Sequence, residues 1–177
     1  YCGYKVTDIL SLYAAKVMGF DEVNAAKVGA FQMYLRPMVC VSIGFFADRS
    51  SSAKGVVIGF LFLLAGSMVF ASGQLTAAYP LLFLLNIVVI GTGVYSLRTL
   101  YFAAVKEGEI PLEVTGTAVG IISVIGYTPD IFMGPLMGYF LDHYPGISGF
   151  NFVFLLLTGF GALGLLTAIR FYRSIQK

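Results

Sequence analysis

Long apolar stretches, each closed by a few polar residues, repeat along the whole chain. They cover residues 1–18 and about 29–47, 55–73, 80–105, 115–140 and 150–171. The last five come near or exceed the ~20 residues that carry a helix across the hydrocarbon core of a bilayer. The connectors are GFDEVNAAKV, GFFADRSSSAK, SGQLTAAYP, KEGEIPLEV and DHYPGISG. All are short and rich in Gly, Pro, Asp, Asn or Ser, as connections between helices are. The ten-residue alternation of a membrane β-barrel is absent. The pattern predicts one helical bundle over residues 1–177, an all-α integral membrane protein.

Composition strengthens that reading. Only 11% of residues are charged and 58% are hydrophobic, against roughly 25% charged in a soluble domain. A net charge of +2, with bases scattered along the chain, gives no footprint for nucleic acid. Cys2 and Cys40 lie inside apolar stretches without metal-site or disulfide spacing, so they read as packing residues. The single histidine, His143, falls in a connector, and no Ser/His/Asp or metal-ligand grouping stands near it. The expectation is a protein without cofactor or metal that is not an enzyme.

The bases set an orientation. Arg49, Lys54, Lys106, Arg170, Arg173 and Lys177 fall on one side of the spans, and only Lys16, Lys27 and His143 on the other. The richer side is expected to be cytoplasmic, in a plasma or inner membrane, with the C-terminus inside. The opening YCGYKVTDILSLYAAK has no initiator Met and no signal-peptide pattern. It reads as a helix entered partway, with an N-terminal part missing.

Small residues recur at four-residue spacing in Gly116-x-x-x-Gly120 and Gly134-x-x-x-Gly138, and Gly159, Gly161 and Gly164 cluster on the last helix. Such spacing lets helix backbones approach closely in lipid, either as static packing or as a sliding surface.

The stretch GFFADRSSSAK, residues 44–54, joins two spans with one acid and two bases. Gly44 is suited to close helix approach at the membrane boundary. Asp48 can meet the N-terminal end of a neighbouring helix. Arg49 and Lys54 suit a cytoplasmic turn, whether as a generic positively charged loop or as partners for acids. Gly44-x-x-x-Asp48-Arg49 with a following base resembles the signature loop of the major facilitator superfamily, with Ser51 and Ala53 departing from it. IPLEVTGTAVGIISVIGYTPDIFMGPLMGYFLD, residues 110–142, resembles that family's eleventh helix. The resemblance implies transmembrane helices seven (partial) to twelve, the C-terminal half of a twelve-helix secondary transporter whose N-terminal half is missing. It also implies a conformational latch built from Gly44, Asp48, Arg49 and Lys54.

Charges inside the spans cost roughly 2.5–3.5 kcal/mol each on insertion scales, so each needs a reason. Arg36, followed by helix-kinking Pro37, suits bidentate binding of an anion or a structural pairing with an acid on another helix. Arg98 can face the same cavity, pair structurally, or snorkel to the cytoplasmic headgroups. Asp130 follows Pro129, where desolvation suits reversible protonation; it can equally neutralise an arginine. Lys5 and Asp8 are one turn apart and can pair, with Asp8 a second proton-coupling candidate. Tyr34, Tyr95 and Tyr127, on three helices near these charges, can line a polar cavity.

These residues point to secondary active transport of a small anionic solute by alternating access, coupled to protons or another ion. A proton-coupled carrier of a neutral solute or drug is the nearest alternative. A small helical channel or membrane scaffold is the alternative from another class.

Overall fold

The computed structural model describes residues 2–47, 49, 51–107 and 112–175. Every regular element among them is an α-helix: α1 (Cys2–Thr7), α2 (Leu10–Lys16), α3 (Glu22–Ala47), α4 (Ser52–Ala71), α5 (Pro80–Glu107), α6 (Leu112–Tyr127), α7 (Pro129–His143) and α8 (Ile147–Ile175). Five segments are long and apolar enough to cross a membrane: Glu22–Ala47, Ser52–Ala71, Pro80–Tyr101, Glu113–His143 and Ile147–Ser174. The protein is an all-α, multi-pass integral membrane protein.

Three boundaries differ from the hydrophobic pattern. The helix expected over 29–47 begins at Glu22, because Asp21, Asn24 and Lys27 are linked side chain to side chain around its first turns. The stretch 115–140 is one span interrupted at Thr128. Pro129 has no N–H to give to a carbonyl of the preceding turn, and the Thr128 hydroxyl joins its own backbone N–H in donating to the Val124 carbonyl, at 2.9 and 3.1 Å. The stretch 1–18 is also two helices. Around Asp8 and Ile9 the backbone bonds tighten to three-residue steps, Asp8 N–H to the Lys5 carbonyl and Ile9 N–H to the Val6 carbonyl.

α4 is the hub of the bundle, packed most extensively on α5 and then on α8, while α3 lies along α5. Glycines bring α4 and α5 together. A Cβ placed on Gly93 would stand 2.4 Å from the Leu63 backbone nitrogen, and one on Gly66 would stand 2.9 Å from the Ile90 Cα. Polar bonds tie α4 to both α5 and α8. The Asn86 amide donates to the Gly66 carbonyl at 3.0 Å, and the Thr158 hydroxyl donates to Ser67 Oγ at 2.9 Å. The expected glycine pairs do not perform this function: beside Gly116, Gly120, Gly134, Gly138 and Gly159 there is open space, and only Gly161 and Gly164 of the last cluster press on α4. α6 and α7 stand at the periphery, so their small residues have no backbone to meet.

The two ends of the bundle are built differently. At the end away from the 47–52 hinge, Tyr13, Phe70, Phe83, Phe150 and Phe154 form a fully buried aromatic cluster. Tyr13 stacks on Phe83 and meets Phe70, Phe150 and Phe154 edge-on. Its hydroxyl donates to the Leu75 carbonyl at 2.7 Å, tying α2 to the α4–α5 connection. Gly73 turns that connection with φ +68, a left-handed conformation that glycine adopts without strain.

Candidate functional site

Tyr4, on α1, is the centre of the charged cluster. The Arg36 guanidinium, from α3, donates through Nη1 to the Tyr4 hydroxyl at 3.1 Å, and its central carbon lies 5.5 Å from the ring centroid. Arg98, from α5, places its guanidinium carbon 4.2 Å from the same centroid, within the range of a cation–π contact. One phenol therefore joins two arginines from different helices. Both arginines project from membrane-spanning segments.

Around this centre lie further polar groups. The buried Tyr95 phenol sits against Thr7, with Tyr4, Arg36 and Asp8 within electrostatic reach. The Thr7 hydroxyl donates to the Tyr4 carbonyl at 2.6 Å. Asp8 stands at the interruption between α1 and α2 and feels both Lys5 and Asp130. Asp130 occupies the first turn of α7, directly after the interruption at Thr128. α1 and α7 touch, and Asp8 and Asp130 lie within electrostatic reach of each other. Gln32, one turn before Arg36 on α3, is 8% exposed and its amide nitrogen has no hydrogen-bond partner.

Beside the arginine–tyrosine centre is a cavity of about 600 Å³ between α1, α4, α5, α6 and α8. Arg98, Tyr4 and Tyr101 supply polar groups to its wall. Most of the remainder is apolar, including Val56, Phe60, Leu63, Val94, Leu97, Ile122, Ile125, Leu157 and Phe160, with Cys2 and Thr167 also on the wall. The cavity occupies the part of the bundle nearer the hinge, and the aromatic cluster fills the opposite end.

The structure thus brings Arg36, Arg98, Tyr95 and Asp8 together and sets Asp130 within electrostatic reach of Asp8. Tyr34 is elsewhere: two residues from Arg36, it is turned about 200° around the helix and is 74% exposed. Tyr127 ends α6 on an exposed face. At the hinge, Gly44 has open space where a second helix was expected, because α3 makes little contact with α4. The Arg49 guanidinium lies over the Phe45 ring at 4.4 Å, and Lys54 is exposed in the first turn of α4. Asp48 lies outside the described residues. Tyr4, Thr7 and Gln32 were not anticipated from sequence. The four-residue step from Gln32 to Arg36, which puts both on one face, was the available signal.

No protein-family model matches the chain, and no solved structure matches it. The chain is similar to two proteins of Escherichia coli strain K12. It is 28% identical to the inner membrane protein YqcE over 188 residues, covering 97% of this chain and 43% of YqcE. It is 34% identical to the inner membrane protein YihN over 87 residues, covering 49% of this chain and 21% of YihN. The chain thus spans less than half the length of these relatives. The comparisons correct the reading of the chain as the C-terminal half of a major facilitator transporter. The relatives are inner membrane proteins by name and nothing more specific, and no family model takes the chain in. A short motif such as Gly44-x-x-x-Asp48-Arg49 occurs readily wherever a polar turn joins two apolar helices, and Gly44 does not make the close approach that its place in the motif implied.

Proposed function

We propose that the protein takes part in secondary active transport of a small anionic solute, with Arg36 and Arg98 as the anion-binding groups. The observation that carries this reading is the Arg36–Tyr4–Arg98 arrangement at an interrupted helix. Two guanidinium groups from different helices converge on one ring in membrane-embedded segments, where a charge without function is costly. An anion entering between them would exchange one neutral hydroxyl partner for charge-assisted bonds. Supporting features are the interrupted helices, which free backbone groups at membrane depth, and the contrast between an aromatic-filled end and a cavity at the hinge end. Asp8 and Asp130 belong to the same proposal as the proton-coupling groups. Their support is placement: Asp8 stands at the interruption between α1 and α2, Asp130 directly follows the interruption at Thr128, and the two lie within electrostatic reach of each other.

The bias of Lys and Arg toward the hinge end supports a cytoplasmic hinge and C-terminus. The relatives' names support an inner-membrane location. With that orientation the cavity lies toward the inner side and the aromatic cluster fills the outer side, an asymmetry of the kind that alternating access uses.

Transport measured in proteoliposomes tests the proposal. Arg36→Lys is expected to lose most uptake of the accepted anion, because an ammonium cannot reproduce the planar fork of a guanidinium. Tyr34→Phe, on the opposite face of α3, should leave uptake unchanged. Normal anion affinity in Arg36→Lys would overturn the assignment.

A further inference from the structure

The cavity beside Arg98 carries information about the solute that the arginines alone do not. Arg98 is its one charged lining residue, with Tyr4, Tyr101, Thr167 and Cys2 as the other side chains carrying O, N or S. From there the wall is almost wholly aliphatic and aromatic: Val56, Phe60, Val94, Ile122, Leu157 and Phe160 come from four different helices. A strongly hydrated anion such as inorganic phosphate or a dicarboxylate would leave its hydration shell without replacement partners on that wall, which Arg98 lines and Arg36 does not. A carboxylate attached to a hydrocarbon body meets the opposite situation. Its charge stays at Arg98, and its apolar surface leaves water against a preformed apolar lining. The volume, about 600 Å³, falls within the range of roughly 300–1,000 Å³ typical of small-molecule sites.

We propose that this cavity binds the apolar body of an organic monocarboxylate whose carboxylate meets Arg98, so that the solute is an amphipathic anion rather than a hydrophilic one. The inference rests on the anion-transport reading above and narrows its substrate class. The same chemistry, an anionic head on a hydrocarbon body, is offered by a membrane lipid, so the test separates the two sources.

The test is titration calorimetry of the protein in lipid nanodiscs with the straight-chain carboxylates butanoate to octanoate, corrected against empty discs. Octan-1-ol, succinate and inorganic phosphate serve as comparisons. Affinity is expected to tighten about fourfold per added methylene, from ~0.8 kcal/mol per buried CH₂, with octanoate well ahead of octan-1-ol and succinate. Arg98→Gln should bring octanoate down to the level of the alcohol. Val56→Trp, which puts a bulky ring into the cavity, should weaken the longer chains more than butanoate and so flatten the series. Ile122→Gln should do the same from α6, whose loose packing lets the fold tolerate the change. The series should be equally steep in phosphatidylcholine and phosphatidylglycerol discs; its loss in the anionic lipid would assign the cavity to lipid and overturn the proposal. Arginine-dependent binding of phosphate or succinate with no chain-length dependence would overturn it while leaving anion transport standing. A chain-length series indifferent to Val56→Trp and Ile122→Gln would place the apolar body elsewhere and overturn it too. Absence of all anion binding would overturn both readings.

Discussion

Gly93→Ala tests where this bundle is held together. The added methyl would stand 2.4 Å from the Leu63 backbone nitrogen, 2.9 Å from the Leu63 Cα and 2.9 Å from the Gly59 carbonyl oxygen. These are backbone atoms of α4, so no side-chain rotation relieves them. Reaching ordinary contact at about 3.5 Å requires α4 and α5 to part by roughly 1 Å, on the scale of overpacking that costs about 1–3 kcal/mol. Parting also stretches the nearby Asn86-to-Gly66 hydrogen bond. The upper end of that range applies, offset by roughly 1 kcal/mol of improved helix propensity from Gly to Ala. The net loss is about 2 kcal/mol, or about 4–8 °C in melting temperature for a chain of this size. Gly120→Ala is the matched control. Its Cβ meets nothing within 4 Å, so only the propensity term acts and stability should hold or rise slightly. Thermal unfolding of both variants in mild detergent, followed by circular dichroism, gives the comparison. An unchanged melt for Gly93→Ala, or a larger loss for Gly120→Ala, would refute the assignment of the close interface to α4 and α5.

Two other substitutions address the aromatic end and the carboxylates. Tyr13→Phe keeps every ring contact but leaves the Leu75 carbonyl, in a residue with no exposed surface, without its donor. It should cost about 1–3 kcal/mol and speed amide exchange in residues 72–79; unchanged melting and exchange would show that the tie is not structural. Asp130→Asn, on the proposed proton role, should abolish accumulation driven by a pH gradient while counterflow exchange persists, and retained proton-driven accumulation would remove Asp130 from that role.

Much of the architecture was legible because lipid makes it so. A helix that must satisfy its own backbone in hydrocarbon leaves a long apolar run, and five such runs became five spans. The interruption at Thr128 had a visible cause in Pro129. The interruption at Asp8 had none: no Pro or Gly stands there, and the Thr7 hydroxyl's bond to the Tyr4 carbonyl beside it has no marker in the sequence. The glycine error has a similar origin. Spacing of four within one helix states that a backbone can be approached, but approach needs a partner, and the partner of Gly93 is the Gly59–Leu63 turn of another helix. Arg36 and Arg98 stood out because charge is rare in these spans. Tyr4 did not, since nothing local separates one tyrosine of 11 from the rest.

Tyr4 also links binding to movement, if the proposed anion site is accepted. Its hydroxyl holds Arg36 on α3, and its ring holds Arg98 on α5. An anion drawn between the arginines competes with the hydroxyl for Arg36, and the charged acceptor wins because it adds ion-pair attraction and can take two parallel N–H bonds where the hydroxyl takes one. Losing that bond loosens α1 from α3 without disturbing the α4–α5 hub, which has its own glycine contacts and buried polar bonds. A ligand can shift a conformational equilibrium only by binding its states unequally. On the proposed function this inequality would have a concrete source: an arrangement in which Tyr4 occupies Arg36 would bind the anion less well than one in which α1 had withdrawn. The interruption at Asp8 lets the Tyr4 half of that segment move while Tyr13 stays anchored to Leu75, so closure at the aromatic end and rearrangement at the arginines need not occur together.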